Sequence, residues 1–397
     1  MRILAVSRRF PPDSFGGGEI SCLTWCRLLA RNHDVHVFTT GKGEVEKNEF
    51  TIHRLIPPVT QQLPFDLHNN ELFYRKAQKA LQEFLKKENF DIIHAFNMFS
   101  IPPSVSAARR RGIPVVATVN DHWGTCFFRS HFHNGKVVEV CTKPIIKENI
   151  RNEKINPLAT RYILHVMKFR KKAMKKCGKL IANSSKVKYI LVKNGFSEVT
   201  VIHNPVDLNS FKPEKFRDTK NILFIGRLDY GKGIETLIKA ASRAKNEVEF
   251  KLVFAGTGHE KRYGSLADEK GIQAQFLGKV AHEKIPEVIY NSDFVVAPFE
   301  RVEAFPRAVS EAAACGRAVI TTDIAGSTDI VEDGKNGLIV PPQNPEALGK
   351  AIVELLKNKE RLENMGKEGR RIVEEKLDEK VLLEKLNRVY ETLLQNR

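Results

Sequence analysis

Short runs rich in Val and Ile alternate with helix-length segments along nearly the whole chain, and this alternation limits the fold more than any other feature. Residues 3–6, 34–38, 91–96, 114–119, 180–183 and 199–203 form a first series. A second runs through 221–225, 251–255, 275–277, 293–298 and 318–321. Near-continuous apolar strands belong to parallel sheets buried on both faces. Two such series predict an α/β chain of two doubly wound, Rossmann-like domains. The 397 residues are enough for two buried cores. The segment 204–219, with Asn204-Pro205, Pro213 and clustered charges, reads as a linker. From Pro345 onward the chain is almost all helix-forming, with Gly366 and Gly369 as the interruptions.

Doubly wound sheets bind ligands at the carboxyl ends of their strands, so the loops there are where chemistry is sought. The first, Pro11-Pro12-Asp13-Ser14-Phe15-Gly16-Gly17-Gly18-Glu19, lets backbone N–H groups approach an anion at a helix start. Ser21 replaces the last glycine of a dinucleotide fingerprint, and the second strand ends Phe38-Thr39-Thr40-Gly41 without a ribose-binding acid. A nicotinamide site is disfavoured. Gly226-Arg227-Leu228-Asp229-Tyr230-Gly231-Lys232-Gly233 resembles a P-loop, but Gly233 stands where Ser or Thr must ligate Mg²⁺. An ATPase fits poorly, whereas Arg227 and Lys232 suit a diphosphate. In the stretch 299–311 Pro306 predicts a helix start, with backbone N–H groups of 304–307 facing the strand ends. Glu303 falls in the loop and Glu311 beyond the first turn, where the helix dipole gives a carboxylate little support.

Taken in order, these loops resemble glycosyltransferase family 4, the retaining nucleotide-sugar transferases with the GT-B fold. The resemblance rests on the glycine-rich first loop, Gly226-Arg227-Leu228 with Lys232-Gly233, Ala255-Gly256-Thr257-Gly258, and the E-x7-E spacing from Glu303 to Glu311. Val201-Ile202-His203-Asn204-Pro205-Val206-Asp207 and Asp333-Gly334 with Asn336-Gly337-Leu338 add to it. It implies residues 1–205 as an acceptor-binding domain and 206–375 as a donor-binding one, facing a cleft, with a helix at 376–397 crossing back to the first. The implied reaction moves a hexose-type sugar from a UDP-, GDP- or ADP-sugar to a glycan or lipid-linked acceptor. Arg227, Lys232 and Glu303 would be catalytic, the cations holding the diphosphate and Glu303 the transferred sugar. Gly17, Gly226, Gly256, Phe305, Pro306 and Glu311 would line the donor, with Glu311 on the ribose. No D-x-D motif is present, so the expectation is a transferase without metal or other cofactor.

Relatives often carry a His-Asp pair after the strand ending at Val119, where this chain reads Asn120-Asp121-His122. Either Asn120 or His122 takes that place. His94 matches another histidine frequent in the family; a satisfied core histidine is its plainer reading.

The net charge of +17 lies entirely in the first half: residues 1–200 hold 33 Lys+Arg against 16 Asp+Glu, and 201–397 hold 31 of each. Residues 101–200 alone carry 20 basic and 5 acidic side chains, which predicts an anionic partner for this domain. The clearest stretch, 161–179, has eight basic and no acidic residues. Read as a helix, it sets Ile163, Val166, Met167 and Met174 on one side, which points to an anionic membrane surface or to the domain's own core. No apolar run is long enough for a leader or a span, and six scattered cysteines suit reduced thiols in a cytoplasm. Cys126, His131, His133 and Cys141 share a loop without metal-site spacing, and no metal site is assigned to them. Competing readings are a nucleotide-sugar hydrolase or epimerase, and a basic nucleic-acid-binding protein. The latter lacks an aromatic-rich basic motif, so no nucleic acid is expected.

Overall fold

Burial on both faces explains the apolar runs of the central strands. The computed structural model describes residues 1–12, 16–59, 71–128, 131–133 and 136–396. Met1–Pro205 with Glu379–Arg397 makes one unit, and Val206–Asp378 the other.

The first unit is built on β1 (Arg2–Val6), β2 (Asp34–Thr40), β3 (Glu44–Lys47), β4 (Thr51–Ile56), β5 (Ile92–Ala95) and β6 (Val115–Val119). A small ribbon follows, β7 (Phe132–His133) with β8 (Lys136–Val137), then β9 (Lys179–Ala182) and β10 (Val199–Val201). The sheet order is β10-β9-β6-β5-β1-β2-β4-β3. Only β3 is antiparallel, against β4. Val6 pairs with Phe38 on one side and Ala95 on the other, so the strand order reverses at β1. The β3–β4 ribbon was not expected from the sequence. Glu44–Lys47 is largely exposed, and the guanidinium of Arg54 breaks the apolar run of β4, held inside by Glu46 and the carbonyl of Pro11.

The C-terminal helix Glu379–Gln395 belongs to this unit. Leu382, Leu386 and Tyr390, one turn apart, are its buried face. Tyr390 hydroxyl lies 2.7 Å from His94 Nδ1, and Arg31 pairs with Glu379 at 2.8 Å.

The second unit carries β11 (Asn221–Ile225), β12 (Lys251–Ala255), β13 (Ala274–Gly278), β14 (Phe294–Ala297), β15 (Ala318–Thr322) and β16 (Gly337–Val340). They form a wholly parallel sheet in the order β13-β12-β11-β14-β15-β16. Phe224, Phe254, Phe294 and Ile320 fill its core with the helix Ile234–Ala244 and the helix Pro345–Leu356. Two sequence expectations change here. Gly366 and Gly369 do not interrupt the helical stretch; both are buried inside Lys359–Leu377, packed on Gly316 and Ala313. The expected linker is also anchored. Phe211 is buried, and the buried guanidinium of Arg317 donates to the carbonyls of Glu214 and Ser292.

Candidate functional site

The carboxyl ends of β11, β12 and β14 bring three loops together. Gly226 N–H donates to the Ala255 carbonyl at 2.9 Å, and Leu228 N–H to Thr257 at 2.8 Å. Gly256 has φ +148, and a Cβ there would lie 1.8 Å from the carbonyl oxygen of Gly226. Only glycine lets these two strand ends touch. Gly233, at φ +77, starts the helix Ile234–Ala244, and a Cβ on it would fall 1.7 Å from the carbonyl oxygen of Pro298. That close approach seats the Gly231–Gly233 turn against the loop after β14. Glu300 seals it, donating its N–H to Gly231 and accepting from Thr236 Oγ1 at 2.6 Å.

Lys232 and Glu303 meet here, Nζ 2.9 Å from Oε1, with side chains 18% and 29% exposed. The ammonium also lies 5.3 Å from the centre of the Phe299 ring. Arg227 stands apart: its side chain is 77% exposed and pairs with Asp229 at 2.7 Å.

Glu311 sits on the helix Arg307–Ala314 and is almost completely buried. Its Oε1 accepts from Arg307 Nη2 at 2.8 Å and Nε at 3.1 Å, and lies 2.9 Å from His282 Nε2. Burial by itself would push the carboxyl up; the Arg307 charge and the His282 hydrogen bond outweigh it and hold the group below the usual carboxylate range. All these bonds fall on Oε1, which leaves Oε2 to accept from a ligand. Phe305 is buried, and Pro306 is the residue before the helix, at φ −75 and ψ 110. The expectation of a run of N–H groups across 304–307 needs correction, since the Pro306 ring nitrogen carries no hydrogen.

In the first unit Gly17 opens the helix Gly17–Ala30, whereas residues 13–15 of the glycine-rich loop lie outside the described residues. Ser21, in place of a glycine, donates to the Gly17 carbonyl at 2.8 Å. His94 is enclosed: Nδ1 faces Tyr390, Nε2 faces Thr118 Oγ1 at 2.7 Å, and burial pushes its pKa down to about 3. Both ring nitrogens are taken up inside the unit. Asn120 Nδ2 donates to the Phe96 carbonyl at 2.9 Å, and Asp121 Oδ1 accepts from Trp123 N–H at 2.8 Å. His122 is buried, with Nε2 unpartnered among the described residues. Burial, helped by neighbouring His131, lowers its pKa to about 3. In the following loop His131 bonds Thr125 and the Val138 carbonyl, and His133 bonds Asn149 and Glu148. Cys126 and Cys141 are buried in the apolar cluster beside Ile146 and Ile163. Among the described residues no three His, Cys, Asp or Glu side chains gather as metal ligands.

Four residues escaped the sequence reading: Arg307, His282, Asn183 and Asn204. Arg307 stands four residues before Glu311, the spacing of facing side chains on a helix, and was there to be found. His282 comes from a separate loop. Asn183 and Asn204 both donate to Asn120 Oδ1, at 3.1 and 3.0 Å.

Comparison with known proteins agrees along the length of the chain. The family model described as Glycosyltransferase Family 4 matches residues 15–210, and Glycosyl transferases group 1 matches 206–372. A glycosyltransferase of Methanocaldococcus jannaschii is 27% identical over 384 residues, covering 90% of this chain and 89% of its own. The O-antigen chain mannosyltransferase C of Escherichia coli is 24% identical, with all of both chains covered. Among solved structures, sucrose-phosphate synthase of Thermosynechococcus elongatus superposes with a TM-score of 0.80 at 20% identity, over all of both chains. HepE of Anabaena, solved with UDP-glucose, gives 0.72 at 18% identity, over 99% of each. The shared fold is GT-B.

Proposed function

From the premise that this chain belongs to the family 4 glycosyltransferases, we propose that it transfers a hexose from a nucleoside diphosphate sugar to a glycan or lipid-linked acceptor, with retention and without a metal. The observation that carries the reading is the Lys232–Glu303 pair at a glycine-flanked strand-to-helix turn. A diphosphate entering there meets a sheltered ammonium already in position, which neutralises the charge that grows as the glycosidic C–O bond breaks. Arg227, exposed and on a flexible stem, adds a second cation when it leaves Asp229 for phosphate. Glu303, released from Lys232 by the same exchange, accepts from hydroxyls of the transferred sugar. Glu311 is held ionised from behind by Arg307 and His282, and its Oε2 suits a ribose diol. Two cations take the role that a D-x-D motif and its metal play elsewhere. HepE was solved with UDP-glucose, which puts UDP-sugars first in a thermal-shift screen against GDP- and ADP-sugars. A rise in melting temperature with one nucleotide series supports the reading, because a ligand of the folded state alone stabilises it. No shift with any of the three, and no sugar transfer, defeats it.

The acceptor side includes a membrane surface in this proposal. Ile163, Val166, Met167 and Met174 pack into the unit's own core, and Arg170 is buried with them, so the apolar stripe is not what meets lipid. What remains outside is a cationic face, Arg161, Lys168, Lys172, Lys175 and Lys176, with Phe169 and Leu158 exposed among the charges. No helix among the described residues is long and apolar enough to cross a membrane. Each engaged cation contributes about 1 kcal/mol near an anionic bilayer, so four give salt-sensitive attachment. Co-sedimentation with anionic vesicles at low salt, lost at high salt, is the expected result; none at low salt removes the membrane and leaves a soluble glycan acceptor.

A further inference from the structure

Five strands of the first sheet run out into small polar residues. Ser7 follows β1, Asn97 lies just beyond β5, Asn120 follows β6, Asn183 follows β9, and Asn204 comes shortly after β10. Three of the amides share one hub. The Phe96 carbonyl can only accept, so its bond from Asn120 Nδ2 fixes which way that amide faces. Oδ1 of Asn120 is thereby turned to the other two side chains and accepts from both. Asn183 and Asn204 must each present nitrogen to the hub, which directs their own carbonyl oxygens away from it. Asn183 is 1% exposed and Asn204 4%, and neither Oδ1 has a partner among the described residues. Buried amide oxygens are almost always paired, and two left open on a single hub mark a place prepared for a donor.

The chemistry of that donor is narrow. Amide oxygens have no proton to give and repel phosphate and carboxylate, so the group they accept from is a non-anionic N–H or O–H donor. Their place, outside the carboxyl ends of parallel strands, is where doubly wound sheets take ligands. We infer that Asn183 and Asn204 form a hydroxyl-binding subsite of the first unit, with Asn120 as its fixed hub, accepting hydrogen bonds from the ring hydroxyls of a sugar. The choice of a sugar hydroxyl among such donors rests on the glycosyl-transfer reading above; the open pair of acceptors does not. The sugar is supplied either by the nucleotide donor or by the acceptor, and the chemistry is the same for both.

Two arms test it. Crystals of the full chain soaked with free glucose, mannose or galactose are expected to show a hydroxyl within hydrogen-bond distance of Asn183 Oδ1 or Asn204 Oδ1. Ordered water alone at both oxygens after every soak overturns the subsite, whether or not any nucleotide binds. In solution, Asn183→Ala and Asn204→Ala are compared with the parent, keeping variants that melt within about 3 °C of it. Affinity for UDP should stay within about twofold, while either the UDP-sugar dissociation constant or the acceptor KM rises about tenfold or more. A rise in the first assigns the hydroxyl to the donor sugar, and a rise in the second to the acceptor. Unchanged values in both, in folded variants, overturn the inference. Failure of the parent to bind UDP, GDP or ADP defeats the assignment of the second unit and leaves the soaking result to stand by itself.

Discussion

The strand ends of the second unit are tied by ion pairs, whereas those of the first meet in a hub of neutral amides. At β11 and β14 the candidate side chains stand in charge pairs: Lys232 with Glu303, Arg227 with Asp229, and Glu311 with Arg307. Around β5, β6 and β9 the first unit gathers asparagines and two histidines, His94 and His122, kept uncharged by burial, with Asp121 as the carboxylate beside them. The same doubly wound plan has been fitted with two chemistries. Mobile countercharges can be exchanged for those of a diphosphate; fixed amides, which carry no charge to neutralise, suit hydroxyls. The exposed cations Arg161, Lys168, Lys172, Lys175 and Lys176 take no part in the hydrogen bonds of the asparagine hub.

Breaking the ionic half should have the largest effect. Lys232→Ala removes the sheltered ammonium and is expected to lower kcat by about 10²–10³, or about 2.7–4 kcal/mol of transition-state stabilisation. Arg227→Ala should cost less, about tenfold, because an exposed cation holds the diphosphate loosely. Steady-state kinetics with the donor found in the screen decides it. Near-normal turnover in both variants removes the diphosphate from this turn.

Next comes the pairing behind Glu311. Arg307→Ala strips the buried carboxylate of its strongest partner, and breaking a buried pair in this way costs about 3–5 kcal/mol. The expected outcome is a lower melting temperature together with weaker nucleotide binding, whereas Glu311→Gln should weaken binding with little loss of stability. If Arg307→Ala left both properties unchanged, the triad would be decorative.

How much of this was legible in the sequence follows the range of the interactions. Valine-rich strands announce themselves within five residues, and all eleven runs read as strands lie on strands of the two sheets. The β3–β4 ribbon hid because Glu44-Val45-Glu46-Lys47 is polar and its stability comes from a partner strand. Lys232 and Glu303 were recognised separately by their motifs, but their contact spans two loops and only folding makes it. Arg307 was local and still overlooked. The asparagine hub was out of reach, because Asn120, Asn183 and Asn204 lie 63 and 84 residues apart and meet only through the order β6-β9-β10.

Acid should separate the two units in the opposite sense, with a smaller effect. His94 and His122 titrate near 3 in the folded chain against 6.5 when unfolded, and His53 and His131 near 4, burial being the main cause in each. A depressed histidine leaves the unfolded state binding more protons, so its stabilising contribution is full above pH 6.5 and falls as pH drops from there towards 3. Glu311, also depressed, keeps its full contribution above the unfolded carboxylate value of 4.5 and loses it as pH falls from there to its lowered folded value. Hydrogen exchange measured by mass spectrometry between pH 7 and 4 should therefore show the first unit losing protection before the second. His94→Gln should reduce that difference; loss of protection in the second unit first would contradict it.

The smallest expected effect is none. If paired cations carry the diphosphate, chelation has nothing to remove, and turnover in EDTA should match turnover in Mg²⁺ or Mn²⁺. The reasoning is electrostatic: a diphosphate needs compensating positive charge, and the turn after β11 supplies it from Lys232 and Arg227, next to a helix start whose N–H groups favour anions. The chain contains no D-x-D to hold a metal against the phosphates. The informative version uses the weakened protein. In Lys232→Ala a divalent ion, if it can reach the phosphates at all, would restore part of the lost rate. Rescue of the variant with no response in the parent places Lys232 where a metal would act. A parent that is silent in EDTA and revived by Mg²⁺ shows instead that the charge compensation was assigned to the wrong groups.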